Sequence, residues 1–184
     1  MPASNPDSSS ESLVSRLTAS LRAVPDFPRP GVLFRDITTL IGDPILFRDA
    51  VDAMAAACGA AAVDAVAGIE ARGFLLGGAL AYALGVGFVP LRKEGRLPAA
   101  VESAAYSLEY GEAVLEIHAD ALESGQHVVI VDDLLATGGT ASAAIALVER
   151  MEASVSRLVF LIELADLGGA ARLGGRPHSS IMTL

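Results

Sequence analysis

Two adjacent carboxylates, Asp132 and Asp133, close an apolar run and stand just ahead of the turn Ala136-Thr137-Gly138-Gly139-Thr140. Gly138 and Gly139 let the backbone approach a ligand closely, Thr137 and Thr140 add hydroxyl donors, and a helix beginning there aims unpaired N–H groups at the same point. That is a cradle for a monophosphate. It is not a nucleoside-triphosphate loop, which ends in Gly-Lys-Ser/Thr, nor a dinucleotide loop, which needs three spaced glycines. A glycine turn made only for steric reasons does not account for the acid pair. Side chains alternate along a strand, so the two carboxylates point to opposite faces and cannot both be solvated surface. Unpaired, they are costly near a low-dielectric core. Vicinal sugar hydroxyls supply two matching donors, and the negative potential favours positive charge on the adjacent anomeric carbon as a leaving group departs.

Two basic segments fit an anionic ligand. Arg72, in GIEARG, opens a helix, where the macrodipole disfavours a cation unless an anion stands nearby. Arg92, Lys93 and Arg96 form a basic cluster suited to a diphosphate in a chain whose net charge is -9. His118, His127 and His178 are scattered without ligand spacing, which argues against a transition-metal site.

The elements that must position these residues alternate. Residues 63–69, 87–93, 127–133 and 156–164 have strand character, 72–85 and 139–153 helix character, and 179–184 adds a last strand. Apolar strands separated by helices give an α/β fold, an open, mostly parallel sheet flanked by helices. AYSLEYGEAVLEIH interrupts the rhythm and implies an inserted β flap turning at Tyr110-Gly111-Glu112. Upstream, Leu13, Leu17, Leu21 and Val24 predict a helix stopped by Pro25, PDFPRPGVLFRD reads as loop, and Asp43-Pro44 starts a helix running to about Cys58. Ligands of such sheets sit beyond the carboxyl ends of the strands, where GIEARG, RKEGR, DDLLATGGT and LADLGG fall.

At 184 residues and 52% hydrophobic content, a disordered tail (1–10) and one domain (11–184) are expected. The negative charge argues against nucleic acid as partner. The single cysteine, Cys58, suits a reducing compartment and reads as a core residue. Neither a secretory start nor a membrane span is evident, so a soluble, cytoplasmic protein is expected.

The stretch VVIVDDLLATGGTASAA resembles the phosphoribosyl diphosphate signature of type I phosphoribosyltransferases. The chain from about Val24 onward is similar to the branch of that family that acts on adenine, through DFPRPGVLFRDITTLIGDP, AGIEARGFLLG, PLRKEGRLP, YSLEYGEAVLEIHADAL and VVIVDDLLATGGT, in that order. The resemblance implies transfer of ribose 5-phosphate from phosphoribosyl diphosphate to N9 of adenine, giving AMP and pyrophosphate. Mg2+ is required and is held mainly by substrate, with no dedicated protein ligand.

By the same resemblance, Asp132 and Asp133 hold the ribose hydroxyls, and Ala136, Thr137, Gly138, Gly139 and Thr140 the 5-phosphate. Arg72 matches the pyrophosphate loop, with a cis bond at Glu70–Ala71. Arg92, Lys93 and Arg96 serve the diphosphate; the family usually has lysine where Arg96 stands, and this loop reaches the neighbouring subunit's site, implying a homodimer. Leu33 reads adenine by its backbone, Phe34 stacks on the ring and Arg35 contacts it. Glu109, in SLEYG, either takes the N9 proton or holds the purine's N7 side, and Tyr110 packs or closes the flap. Transfer to xanthine, guanine or orotate fits FPRPGVLFRD and SLEYG less well. A regulator that senses phosphoribosyl diphosphate and binds nucleic acid would need a basic face.

Overall fold

A computed structural model describes residues 12–107 and 112–184. The expected tail, residues 1–10, and the flap turn with Glu109 and Tyr110 lie outside the described residues. The chain divides into two compact units, Met1–Ala50 and Val51–Leu184.

In the first unit, helix α1 (Leu13–Ser20) is capped by Ser12, whose hydroxyl accepts the Ser15 N–H at 3.2 Å. It buries Leu17 but ends before Leu21. The expected continuation to Val24 is instead strand β1 (Arg22–Pro25), antiparallel to β2 (Leu33–Asp36) with Val24 opposite Phe34. The predicted loop is thus a hairpin. Its pairing spans a proline-rich connection, so local periodicity does not reveal it, and proline is tolerated because this two-stranded sheet is all edge. Asp36 accepts the N–H and hydroxyl of Thr38 at 2.9 and 2.8 Å, anchoring the short helix α2 (Thr38–Ile41). Asp43 accepts the N–H groups of Ile45 and Leu46 at 2.9 and 3.0 Å at the head of α3 (Pro44–Cys58), as its sequence implies.

The second unit is built on one seven-stranded sheet. In chain order its strands are β3 (Ala65–Ile69), β4 (Gly87–Lys93), β5 (Val101–Ser107), β6 (Glu112–His118), β7 (His127–Leu135), β8 (Ser154–Glu163) and β9 (His178–Thr183). Their spatial order is β5-β6-β4-β3-β7-β8-β9. The run from β4 to β9 is parallel, and the β5–β6 hairpin joins it antiparallel through β4. The inserted segment therefore extends the sheet. Helices α4 (Arg72–Leu84) and α5 (Gly139–Arg150) make the crossovers. β3 is buried along its whole length, and α5 buries Ala144, Leu147 and Val148 among a core that includes Ile130, Leu158 and Phe160. Cys58 is buried, and that burial, opposed by a smaller pull from Arg157, pushes its thiol up. No helix among the described residues is long and apolar enough to cross a membrane.

This topology fixes where a ligand can sit. β3 continues outward to β4 on one side, while its other neighbour, β7, continues to β8. The winding reverses between β3 and β7, and the loops leaving them part there to open a crevice. GIEARG follows β3 and DDLLATGGT ends β7, so the fold brings together the two segments singled out by chemistry.

Candidate functional site

Pairing between β3 and β7 reaches Gly68 opposite Val131 and stops, so Asp132 and Asp133 project just past the last paired residues. Asp133 is 4% exposed, and its carboxylate accepts a hydrogen bond from Arg72 Nε in an ion pair. The anion that lets Arg72 open α4 is thus a residue of the chain itself. A mostly buried carboxylate is relieved by a cation that keeps contact with solvent.

Asp132 is placed differently. Its Oδ1 accepts the Asp133 backbone N–H at 2.9 Å, while burial and then the Asp133 charge hold its carboxyl well above the ordinary carboxylate range. A raised carboxyl binds its proton more tightly in the folded state, so it costs nothing below the ordinary pKa, costs stability increasingly as pH rises from there toward the raised value, and costs a constant amount above it. Asp132→Asn is therefore expected to raise Tm at pH 8 and to lose that advantage by about pH 4. Thermal melts across this range check it; a gain that persists in acid would assign the effect to packing.

Beyond Leu135 the backbone wraps a cavity of about 70 Å3 whose walls include Ala136, Thr137, Gly138, Gly139 and Thr140. Gly138 has φ +79° and serves as the N-cap of α5 with no side-chain cap bond, so no capping side chain answers the first-turn N–H groups. A Cβ on Gly138 would lie 2.5 Å from the Gly169 carbonyl oxygen, so glycine is needed for both conformation and space. The cavity shares Asp132, Leu134, Ala136 and Thr140 with a crevice of about 540 Å3 lined also by Glu70, Arg72, Lys93 and Asp133. A phosphate seated in the smaller space leaves the rest of its molecule in the larger one, beside the acid pair.

The crevice's opposite lip is the β3–α4 loop, whose Glu70–Ala71 peptide bond is cis, as the resemblance implies. Glu70 accepts the Lys93 N–H at 3.1 Å and Arg92 Nε at 3.3 Å. Burial pushes the Glu70 carboxyl up, but Arg92, the Lys93 N–H and the charge of Arg96 outweigh it and hold the group below the usual range. Arg92 also donates to the Arg96 carbonyl at 2.8 Å. The basic cluster thus divides by role. Arg92 braces the loop, Lys93 lines the crevice, and Arg96 is exposed on the turn beyond. Glu70 and Tyr106, which also lines the crevice, were not singled out from sequence; the position of Glu70 at a strand's carboxyl end could have marked it.

The three residues expected to read the base lie on β2, in the other unit. Leu33 is half exposed, Phe34 and Arg35 partly buried, and the Phe34 ring meets Phe27 edge-to-face with centroids 5.1 Å apart.

An open α/β sheet with a glycine-walled cavity and a carboxylate pair at its switch point presents them where sheets of this kind take up their ligands. A phosphoribosyl transferase domain model matches residues 45–172. The chain belongs to the phosphoribosyltransferase family. It is 58% identical over 158 residues to the adenine phosphoribosyltransferase of Paracoccus denitrificans, covering 86% of this chain and 84% of that protein. The crystal structure of adenine phosphoribosyltransferase from Thermoanaerobacter pseudethanolicus matches with a TM-score of 0.91 at 47% identity, covering 93% of this chain and 99% of that one. The Saccharomyces cerevisiae adenine phosphoribosyltransferase, complexed with D-2,5-dideoxy-2,5-imino-altritol 1,6-bisphosphate and adenine, matches at 0.87 and 41% identity, covering 92% and 98%.

Proposed function

We propose that this protein transfers the ribose 5-phosphate group from phosphoribosyl diphosphate to N9 of adenine, forming AMP and pyrophosphate in purine salvage. One observation carries the reading: a cradle of main-chain amides opens directly into a crevice edged by Asp132, Asp133 and Arg72. The yeast relative's complex with adenine and an imino-sugar bisphosphate supports the choice of base and sugar phosphate.

The N9–C1 bond forms as the C1–O bond to diphosphate breaks, the leaving group takes the bonding pair, and N9 gives up its proton. The amides from Ala136 to Thr140 and the hydroxyls of Thr137 and Thr140 hold the 5-phosphate. Asp132 and Asp133 hold the ribose hydroxyls and stabilise the cationic carbon. Arg72, Lys93 and Arg96 take the diphosphate, with Arg92 beside them. Adenine is read by the Leu33 backbone, stacked on Phe34 and contacted by Arg35, and Glu109 takes the N9 proton or holds the N7 side. Residues 11–184 serve as one catalytic domain.

Mg2+ is the proposed cofactor, since it prefers oxygen donors and binds through carboxylates, water and substrate phosphates, and the crevice offers Asp132 and Asp133. The diphosphate would supply most of its ligands, with no dedicated protein ligand. When bound, Mg2+ would supply positive charge to offset that of the diphosphate. The exposed turn at Arg96 is proposed to reach a second subunit's site in a homodimer, and the location to be the cytoplasm.

Incubation with Mg2+, phosphoribosyl diphosphate and adenine, guanine, xanthine or orotate tests the reading: AMP should form, with little nucleotide from the other bases. Preference for another base would overturn the adenine assignment. Phe34→Ala is expected to raise the adenine KM about three- to tenfold with the phosphoribosyl diphosphate KM unchanged, as removal of one stacked ring requires. Steady-state kinetics with each substrate varied checks this, and an equal rise in both constants would place Phe34 outside the base site.

A further inference from the structure

A 3-10 turn, Gly169–Leu173, backs directly onto the phosphate cradle. A Cβ on Gly169 would lie 2.2 Å from the Ala136 carbonyl oxygen, and one on Gly138 would lie 3.1 Å from Arg172 Cβ. No side chain fits between these backbones, and the neighbouring Leu173 is fully buried. The root of Arg172 is therefore held beside Gly138.

Arg172 lines a third cavity, of about 350 Å3, with Tyr106, Gly139 and Ser142. Gly139 is also in the wall of the cradle, so the two spaces adjoin at the first turn of α5. Arg172 is exposed, and its side chain has no hydrogen bond or ion pair among the described residues. Arg176, just beyond the turn, donates from Nε to Glu149 at 3.0 Å. In an acidic chain, one arginine of this segment has a carboxylate and the other, next to the cradle, has none. A guanidinium near a helix N-terminus meets the unfavourable end of the macrodipole, and an anion between them relieves both.

We infer that Arg172 is a further binding residue for the 5-phosphate end of the substrate, adding an exposed cation to a cradle otherwise made of amides and hydroxyls. This rests on the proposed placement of the 5-phosphate in that cradle. The interaction is charge-assisted but solvent-exposed, which sets its expected size near the low end for such contacts.

Titration calorimetry of ribose 5-phosphate and, separately, of pyrophosphate with Mg2+ tests it on wild type, Arg172→Gln and Arg172→Lys. Arg172→Gln is expected to weaken ribose 5-phosphate about tenfold and to leave pyrophosphate unchanged. Arg172→Lys should recover most of the loss, because charge survives where fork geometry does not. Equal affinity of wild type and Arg172→Gln, parallel weakening of both ligands, or Arg172→Lys no better than Arg172→Gln would overturn the inference. A wild type that makes no AMP yet shows the selective loss would remove the proposed reaction and leave Arg172 in its role. A wild type that does not bind ribose 5-phosphate would overturn both.

Discussion

Asp133→Asn is expected to lower kcat/KM for AMP formation by about a hundred- to a thousandfold, the scale seen when one preorganised electrostatic partner of a transition state is removed. The amide keeps the shape of the carboxylate and one acceptor oxygen, so packing survives. The charge does not. It balances Arg72 at the head of α4 and, in the proposed mechanism, offsets the positive charge growing on the ribose carbon. The Arg72 side chain keeps 40% of its surface, and solvent takes over much of what the pair contributes to folding. Tm should therefore move by no more than about 4 °C, the equivalent of roughly 1 kcal/mol in a chain of this length. Progress curves for AMP beside a thermal melt of the same preparation decide the matter. A melt lowered far beyond that, with activity lost in proportion, would make Asp133 a structural residue.

Gly138→Ala is the second large effect. At φ +79° an alanine carries roughly 1–3 kcal/mol of backbone strain. Its Cβ would also press to 2.5 Å from the Gly169 carbonyl oxygen, which is backbone and cannot rotate away. Either the cradle or the 3-10 turn must shift, and a shift of a few tenths of an ångström misdirects the amides at the head of α5. The KM for phosphoribosyl diphosphate is expected to rise at least about tenfold, with a fall in Tm of several degrees. Gly125→Ala separates strain from position: Gly125 has φ +85° with nothing within 4 Å of its added Cβ. It should lower Tm by a comparable amount and leave KM alone. An equal change in KM in both variants would show that general loosening, rather than the cradle, is being measured.

Much of the second unit was legible in the sequence because its central strands, β3 and β7, are buried over most of their length on both faces and helices cover them, so apolar runs and periodicity report directly on burial. The head of α3 was equally plain, since Asp43 and Pro44 act on their own immediate neighbours. The β1–β2 hairpin was not. Its pairing partners are separated by the proline-rich connection, and Arg22 to Pro25 looks locally like the tail of a helix. In the site, Gly138 and the acid pair were readable because their chemistry lies within a few residues of chain. The division of labour in the basic cluster was not, because Arg92 is held by Glu70 from another strand's loop.

The sequence by itself determined the cradle, the acid pair and the alternation of strand and helix, all of which depend on neighbours along the chain. Only the tertiary structure decided that β3 and β7 would stand side by side, that Asp133 would pair with Arg72, and that Arg172 would come to rest beside Gly138. The physical reason is range. Backbone conformation and hydrophobic period are set over a few residues, whereas ion pairs and close backbone contacts form between segments that meet only after the sheet is assembled.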